Sequence, residues 1–305
     1  MYLYPSNNAI LEQPNSFPAN SLIPTHPMGV VGMPNYILPE TVDYQNRVIA
    51  NGGNIFSDLE INAVNYFIYQ YQKNNLWSKI TSCYLFVGCN GSTGSKASAQ
   101  VSVKDNAYFL TYGSGVTDAF FTQIGMKSPF TGNGTNYWVS SSMPSNAQDV
   151  FNKGMSCYLA SNEGGNAWWD MGTANNVANI YDYLIINNAA GVFAYAPDIG
   201  ATSVQFGNFR TIQGFYSGDS IGMEFLAYKN GIPSYTMHRT QTNQDSAMIY
   251  FGSFYYTATG GSYGLTNRTY GSFCLNKGYT KDEEKIRNLI EYNFQTLLNR
   301  SVSIS

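Results

Sequence analysis

The stretch IGMEFLAYKNGIPSYTMHR, residues 221–239, indicates the fold most directly. Two runs in it, Ile221–Tyr228 and Tyr235–Arg239, are rich in strand-forming residues, and Lys229-Asn230-Gly231 lies between them. An Asn-Gly pair between two such runs is a hairpin signal, because both residues tolerate the positive φ angles of a tight turn. The stretch therefore predicts two neighbouring antiparallel strands.

The same pattern of short strands and turns extends on both sides of this hairpin, from about residue 100 to 275. Strands spaced by about 8–12 residues, with no helices between them, are typical of an antiparallel sandwich or barrel. The other candidates are Val101–Val103, Tyr108–Tyr112, Tyr137–Val139, Ser156–Ala160, Tyr181–Asn187, Gly191–Ala196, Ser203–Phe206, Ala247–Tyr255 and Arg268–Cys274.

One helix is predicted before the strand region, at Asp58–Asn74, and one after it, at Lys281–Asn299. Each begins with a capping box, formed by Ser57 with Glu60 and by Thr280 with Glu283. Apolar residues recur at helical spacing in both, and in the second helix we place Leu289 on the apolar stripe. Both helices are therefore expected to pack against the sandwich.

Residues 1–43 differ from the rest of the chain. They hold seven of its 11 prolines: Pro5, Pro14, Pro18, Pro24, Pro27, Pro34 and Pro39. Because proline lacks the amide donor, we expect neither a helix nor a central strand here. Apolar residues between the prolines predict an extended arm that packs on its own domain or on another subunit, followed by one domain at 44–305.

Composition excludes several classes of protein. The net charge is −3 and no basic cluster occurs, which argues against a nucleic-acid partner. The sequence has neither an apolar run long enough to span a membrane nor a signal peptide, so we expect no membrane insertion and folding in a bacterial cytoplasm. Charged residues make up 11%, against about a quarter in ordinary domains, which suits a chain inside an assembly.

The four cysteines, Cys83, Cys89, Cys157 and Cys274, form no C-x-x-C pair, and the chain has two histidines. A zinc site is therefore not expected, and no cofactor is predicted. Sparse, unpatterned cysteines indicate a reducing compartment, with Cys83 and Cys89 acting as small apolar residues.

Both ends of the strand region carry a more specific pattern. Arg47-Val48-Ile49-Ala50-Asn51-Gly52-Gly53, the helix that follows and the run Tyr84–Gly88 resemble the opening of concanavalin A-like (LamG-like) domains of bacteriophage virion proteins. Gly271–Glu284 and Asn293–Arg300 resemble the last strand and terminal helix of that family. The resemblance implies a jelly-roll β-sandwich with two flanking helices.

For function, the resemblance implies a non-enzymatic structural component of a phage particle: a tail, fibre, neck or capsid-surface protein. It is expected to be a homo-oligomer, attached to other virion proteins by the N-terminal arm and able to contact host surface glycans. The alternative is a polysaccharide-cleaving or carbohydrate-binding protein of the same fold. Genes for portal, capsid or tail proteins beside its own would distinguish the two.

Candidate catalytic motifs are weak. Gly260-Gly261-Ser262-Tyr263-Gly264 matches G-x-S-x-G, but a strand-like run and not a helix follows it. Gly88–Lys96 has the wrong residue order for a phosphate-binding loop. The alternating carboxylates of sandwich glucanases are missing, since Asp182, Asp198, Asp219 and Glu224 are isolated. We therefore predict no catalytic residues and no enzyme activity.

Three further sites remain as alternatives. Asp198 and Asp219 are either turn residues or calcium ligands, and we favour turn residues. Trp168 and Trp169 are candidates for a surface contact with a glycan or protein, because an exposed indole stacks on sugar rings and anchors interfaces. Packing in the core is the alternative for this pair, and Trp138 is expected in the core.

Overall fold

The computed structural model describes residue 34 and residues 36–300, apart from short internal gaps. The gaps are residues 91–92, 129–136, 150, 163–169, 176–179, 187–191, 200–203, 209–213, 223, 239–245, 253, 257–260 and 264–267. The described part confirms a mainly antiparallel β-sandwich with helices packed on one side.

One layer is an eight-stranded antiparallel sheet, here called the first sheet. In spatial order it contains β13 (Ile232–His238), β12 (Glu224–Lys229), β11 (Gly214–Ile221), β6 (Asn152–Asn162), β17 (Arg268–Asn276), β4 (Gly125–Lys127) and β3 (Phe121–Thr122), while β1 (Ile80–Tyr84) also pairs with β17. The hairpin predicted from residues 221–239 is confirmed as β12 and β13. Asn230 and Gly231 at its turn have φ angles of 50° and 71°.

The other layer is a nine-stranded sheet, the second sheet. Its main order is β10 (Val204–Asn208), β9 (Val192–Ile199), β8 (Ile180–Ile185), β7 (Met171–Asn175), β14 (Met248–Phe251), β5 (Val139–Pro144) and β2 (Thr111–Tyr112). A short hairpin of β15 (Phe254–Tyr256) and β16 (Gly261–Tyr263) is added through a parallel pairing of β15 with β7.

The core between the sheets follows from the alternation of side chains along each strand. Met155, Cys157 and Leu159 of β6 pack in one buried cluster with residues of the second sheet such as Leu184 and Phe251. The residues of β6 between them face the opposite side, where the helices lie. Every residue of β17 is buried, because both faces of the first sheet are covered.

Three helices pack on the outer face of the first sheet: α1 (Pro39–Ala50), α2 (Asp58–Lys73) and α4 (Lys281–Leu297). The short α3 (Ser95–Ala99) instead contributes Ala99 to the core between the sheets. Both predicted capping boxes are present, at Ser57 and Thr280. In α4 the buried apolar residues are Ile290, Phe294 and Leu297, whereas Leu289 is half-buried, so the prediction for Leu289 is corrected.

Helix α1 corrects the predicted extent of the N-terminal arm. It begins at Pro39, where the fixed φ of proline suits the first helical position and no amide donor is needed. Thr41 is buried and donates to Asn65 of α2 at 3.0 Å. Residues 39–43 therefore belong to the folded domain, and residues 1–33 of the predicted arm lie outside the described part.

The cysteines also differ from the prediction. Cys83 of β1 and Cys274 of β17, 191 residues apart in the chain, form a disulfide between directly paired positions. Cys89 and Cys157 are free, buried thiols. The sequence shows no local pattern for the bond, because sheet pairing alone brings the two residues together. The cysteine argument for a reducing compartment is therefore withdrawn.

Among the described residues, none of the helices combines the length and apolar character that crossing a bilayer requires.

A buried acidic pair lies between α4 and the first sheet. Asp219 of β11 accepts hydrogen bonds at Oδ1 from Asn276 Nδ2 (3.0 Å) and from the Tyr279 amide (3.2 Å). Burial, and next the neighbouring Glu284 carboxylate, raise the pKa of Asp219 well above its usual range, although Arg287 opposes the shift. Ionisation of Asp219 is thus less favourable in the folded chain than in the unfolded chain.

This raised pKa predicts a pH-dependent stability. An acid with a raised folded-state pKa stabilises the fold below its unfolded pKa, about 3.9, and that stability is lost as the pH rises toward the folded pKa. We expect Asp219→Asn, which stays neutral, to remove a slope of up to about 1.4 kcal/mol per pH unit. Urea unfolding at several pH values above 4 measures this slope of the unfolding free energy.

Asp282→Asn is the control, because the Asp282 side chain is 88% exposed. Parallel curves for wild type and Asp219→Asn would contradict the assignment.

Candidate functional site

The structure shows where some of the candidate site residues from the sequence lie. Trp168 and Trp169 lie outside the described residues, so their surface role stays a prediction. Asp219 is fully buried beneath α4 and binds protein groups, which excludes it as an exposed calcium ligand. Asp198 lies in β9. Glu224 is exposed at the start of β12, as the outward position predicted for it requires.

Two aromatic residues form a surface on the outer side of the second sheet. In β14, Ile249 and Phe251 are buried in the core, so Tyr250 between them points outward and is half-buried. Trp138 precedes the core residue Val139 and is also half-buried. Their rings meet edge to face, with centroids 5.8 Å apart and an interplanar angle of 65°. We call this surface the Trp138–Tyr250 face.

The prediction that Trp138 lies in the core is therefore corrected. The predicted strand Tyr137–Val139 overlaps the observed strand β5 only at Val139, and Trp138 lies just before that strand. Val139 occupies the core, whereas Trp138 contacts the outward-facing Tyr250. The alternation of side chains along a strand could have identified Tyr250 from the apolar residues that flank it.

Small and hydroxylated residues surround the aromatic pair. Tyr250 is in register with Ser140 of β5 on one side and with Gly172 of β7 on the other. Gly172 has a φ of 138°, a conformation that favours glycine, and it adds no side chain beside the tyrosine. Next to Ser140, the exposed Thr111 of β2 accepts a hydrogen bond from Ser142 Oγ at 3.2 Å. The face therefore combines flat apolar rings with neutral hydroxyl groups.

A buried ion pair lies near the end of β14, on the core side of the second sheet. Arg268 Nη1 of β17 donates to Asp170 Oδ1 at 2.6 Å, and the Tyr270 hydroxyl donates to the same oxygen at 2.6 Å. The Asp170 carbonyl accepts from the amide of Gly252, which directly follows β14, at 2.7 Å. Because Arg268 belongs to the first sheet and Asp170 leads into β7, this contact fixes the two layers relative to each other.

A second buried pair lies at the other end of β14. Lys153 Nζ of β6 donates to Asp182 Oδ2 of β8 at 2.7 Å, and Ser145 Oγ donates to the same oxygen at 2.6 Å. The Ser145 amide donates to the carbonyl of Ala247, which precedes β14, at 2.9 Å. Strand β14, which carries Tyr250, is thus supported at both ends.

Serine, lysine and aspartate in contact resemble a nucleophile with its base. The side chains of Lys153 and Asp182 are 1% and 0% exposed, and Ser145 is fully buried. A substrate has no access to such a group in this conformation, so its role is to join the sheets. Sequence reasoning missed both ion pairs, because their partners come from distant strands.

No protein-family model matches the chain, and no curated protein sequence matches it. Solved structures do share its fold. A Trypanosoma rangeli sialidase in complex with 2,3-difluorosialic acid is 12% identical, with a TM-score of 0.48, over 71% of this chain and 33% of the sialidase. The chain thus spans about a third of the length of that sialidase.

Two more structures show the same likeness. Domain 4 of AbnA, an extracellular arabinanase of Geobacillus stearothermophilus in complex with arabinotriose, is 10% identical with a TM-score of 0.42, over 68% of this chain and 97% of the domain. A structure concerning cell entry of botulinum neurotoxin type C, which depends on two ganglioside molecules, is 10% identical with a TM-score of 0.45, over 74% of this chain and 53% of that one. At these identities the likeness concerns the fold.

Three predictions can now be assessed. The sandwich fold implied by the resemblance is confirmed by the two packed sheets. None of the three structures is described as part of a phage particle, so the virion link stays a prediction. The prediction that the chain is not an enzyme is contradicted by the sialidase and arabinanase structures among the matches.

Proposed function

We propose that this chain binds carbohydrate through the Trp138–Tyr250 face. The observation that carries the proposal is the pair of half-buried aromatic rings held edge to face on the outer side of the second sheet. An aromatic ring offers a flat apolar surface to the C–H groups of a sugar, and the tyrosine hydroxyl adds a polar contact. The substrate class is a neutral or weakly charged saccharide.

The surroundings of the rings support this choice. Thr111 and Ser142 present hydroxyl groups beside the aromatic pair, and such groups both donate to and accept from sugar hydroxyls. The low content of charged residues, 11% of the chain, also suits a ligand without strong charge.

A saccharide that binds on a shallow surface binds more tightly when the strands of that surface are already fixed in place. The ion pairs of Asp170 and Asp182 hold the strands behind the face, so little ordering is needed when a ligand binds. Because less conformational entropy is lost, a larger part of the contact energy appears as affinity.

The test is a glycan array followed by calorimetry on the best ligand. Arabinotriose, sialic acid and ganglioside glycans, the molecules named with the structures of similar fold, are sensible first probes. We expect Trp138→Ala and Tyr250→Ala each to weaken binding by about tenfold or more, equal to about 1.4 kcal/mol. Chromatography of the glycans after incubation also detects any cleavage, in line with the glycosidase folds.

Tyr36→Ala is the matched control, because Tyr36 is 55% exposed and precedes α1 on the helical side of the sandwich. It should leave affinity unchanged. An array without any bound glycan, or a Trp138→Ala variant that binds as tightly as wild type while remaining folded, would overturn the proposal.

The virion role is a second candidate, favoured by one observation. Apolar side chains of α1 are exposed, among them Val42 at 48% and Ile49 at 43%. Such residues suit attachment to other subunits in an assembly. Neighbouring reading frames for capsid, portal or tail proteins would support this candidate, and a different gene context would remove it.

A further inference from the structure

Three potential metal ligands meet beneath α4. The two sulfurs of Cys83 and Cys274 and a carboxylate oxygen of Glu291 all lie within 4.8 Å of one another. Cys83 and Cys274 are directly paired positions of β1 and β17, and Glu291 reaches them from α4. All three residues are buried, with at most 2% of their surface exposed. In this structure the two sulfurs are joined as a disulfide.

The Glu291 carboxylate is only partly satisfied by protein donors. Its Oε2 accepts a hydrogen bond from Ser272 Oγ at 3.1 Å. Within the described part of the chain, its Oε1 accepts no hydrogen bond of normal geometry, although the Gln295 side chain interacts with the carboxylate and Glu291 is completely buried. A buried polar atom without a partner is costly, and in natural proteins such an atom calls for an explanation such as a water or an ion.

We propose that the reduced chain binds a divalent, thiophilic cation, Zn²⁺, through Cys83, Cys274 and Glu291. Thiolate sulfur and carboxylate oxygen are both zinc ligands, and three protein ligands with one further position is a coordination that zinc adopts. The two sulfurs come from rigid paired strands, so their positions are set before the ion binds.

Binding requires reduction first. A dithiol transfers two electrons and two protons to the disulfide, the S–S bond breaks, and the dithiol becomes a disulfide. The cation then replaces the two thiol protons, which pass to solvent. In the reverse step an external disulfide takes two electrons from the two thiolates and two protons from solvent and becomes a dithiol, while the Cys83–Cys274 bond forms again. The sulfur ligands are then lost and the ion is released, so the two states exclude each other.

The charge around the group fits this assignment. Two thiolates and one carboxylate with a divalent ion leave one negative charge. The guanidinium of Arg287, on the same helix, interacts electrostatically with Glu291 and also pairs with Glu284 at 2.8 Å. A nearby cation thus lessens the cost of burying a negatively charged complex.

Cobalt substitution of the full-length protein tests the proposal. After anaerobic reduction with a dithiol and removal of the dithiol, Co²⁺ should bind one per chain and give thiolate-to-cobalt charge-transfer absorption, while the oxidised protein shows none. Zn²⁺ should displace the cobalt. Cys274→Ser should abolish the absorption, and Glu291→Gln should weaken binding by about tenfold or more while the charge-transfer band remains.

Cys157→Ser, at a free buried thiol, is the matched control and should bind cobalt as wild type does. Near-ultraviolet circular dichroism checks that the reduced protein is folded. The proposal fails if the reduced folded chain binds no cobalt, if Cys274→Ser or Glu291→Gln binds it as tightly as wild type, or if reduction unfolds the chain so that no folded reduced state exists.

Discussion

Asp170→Asn is expected to lower the free energy of unfolding by about 3–5 kcal/mol, the usual cost of breaking a buried ion pair by removing one partner. Asp170 accepts from Arg268 and Tyr270 at 2.6 Å, and both side chains of the ion pair are at most 2% exposed. Asparagine keeps the shape but removes the negative charge that the buried Arg268 guanidinium contacts. Chemical denaturation monitored by circular dichroism measures the loss.

The control is the same change at an exposed ion pair, Asp43→Asn. Asp43 is 65% exposed and pairs with Arg47 at 2.8 Å, so its loss should cost at most about 1 kcal/mol. Equal effects of the two substitutions would show that the Asp170–Arg268 contact does not hold the sheets together.

The second large effect is expected from Phe294→Ala, with a loss of about 3–5 kcal/mol. Phe294 is completely buried between α4 and α2, where its ring meets that of Phe67 edge to face with centroids 5.3 Å apart. Truncation leaves a cavity between two elements that cannot collapse fully. Urea unfolding gives the free energy directly.

Leu289→Ala serves as the comparison, because Leu289 lies on the same helix and is half-buried. We expect a loss of at most about 1.5 kcal/mol there. If Leu289→Ala were the more costly change, α4 would pack through the stripe expected from the sequence and not through the face seen here.

Local signals in the sequence predicted local structure well. The Asn230-Gly231 turn and the capping box at Ser57 both form where expected, because each depends on residues close in the chain. The helix at Pro39 was missed because proline was treated only as a helix breaker, although it is favourable at the first helical position.

Long-range features could not be read in this way. The Cys83–Cys274 bond and the Arg268–Asp170 pair join residues about 100 or more positions apart, and only the order of strands brings them together. The orientation of Trp138 depends on where β5 begins, because Val139, its first residue, takes the core position. The candidate glycan surface therefore became visible only with the structure, while the sandwich itself was predicted.

The most direct test of the account is a crystal structure with the best-binding oligosaccharide from the array. We expect one sugar ring to lie flat against the Trp138 indole, within van der Waals contact of about 4 Å, with sugar hydroxyls near Thr111 and the Tyr250 hydroxyl. A saccharide bound only at another surface, with the Trp138–Tyr250 face unchanged between free and bound crystals, would contradict the proposed function.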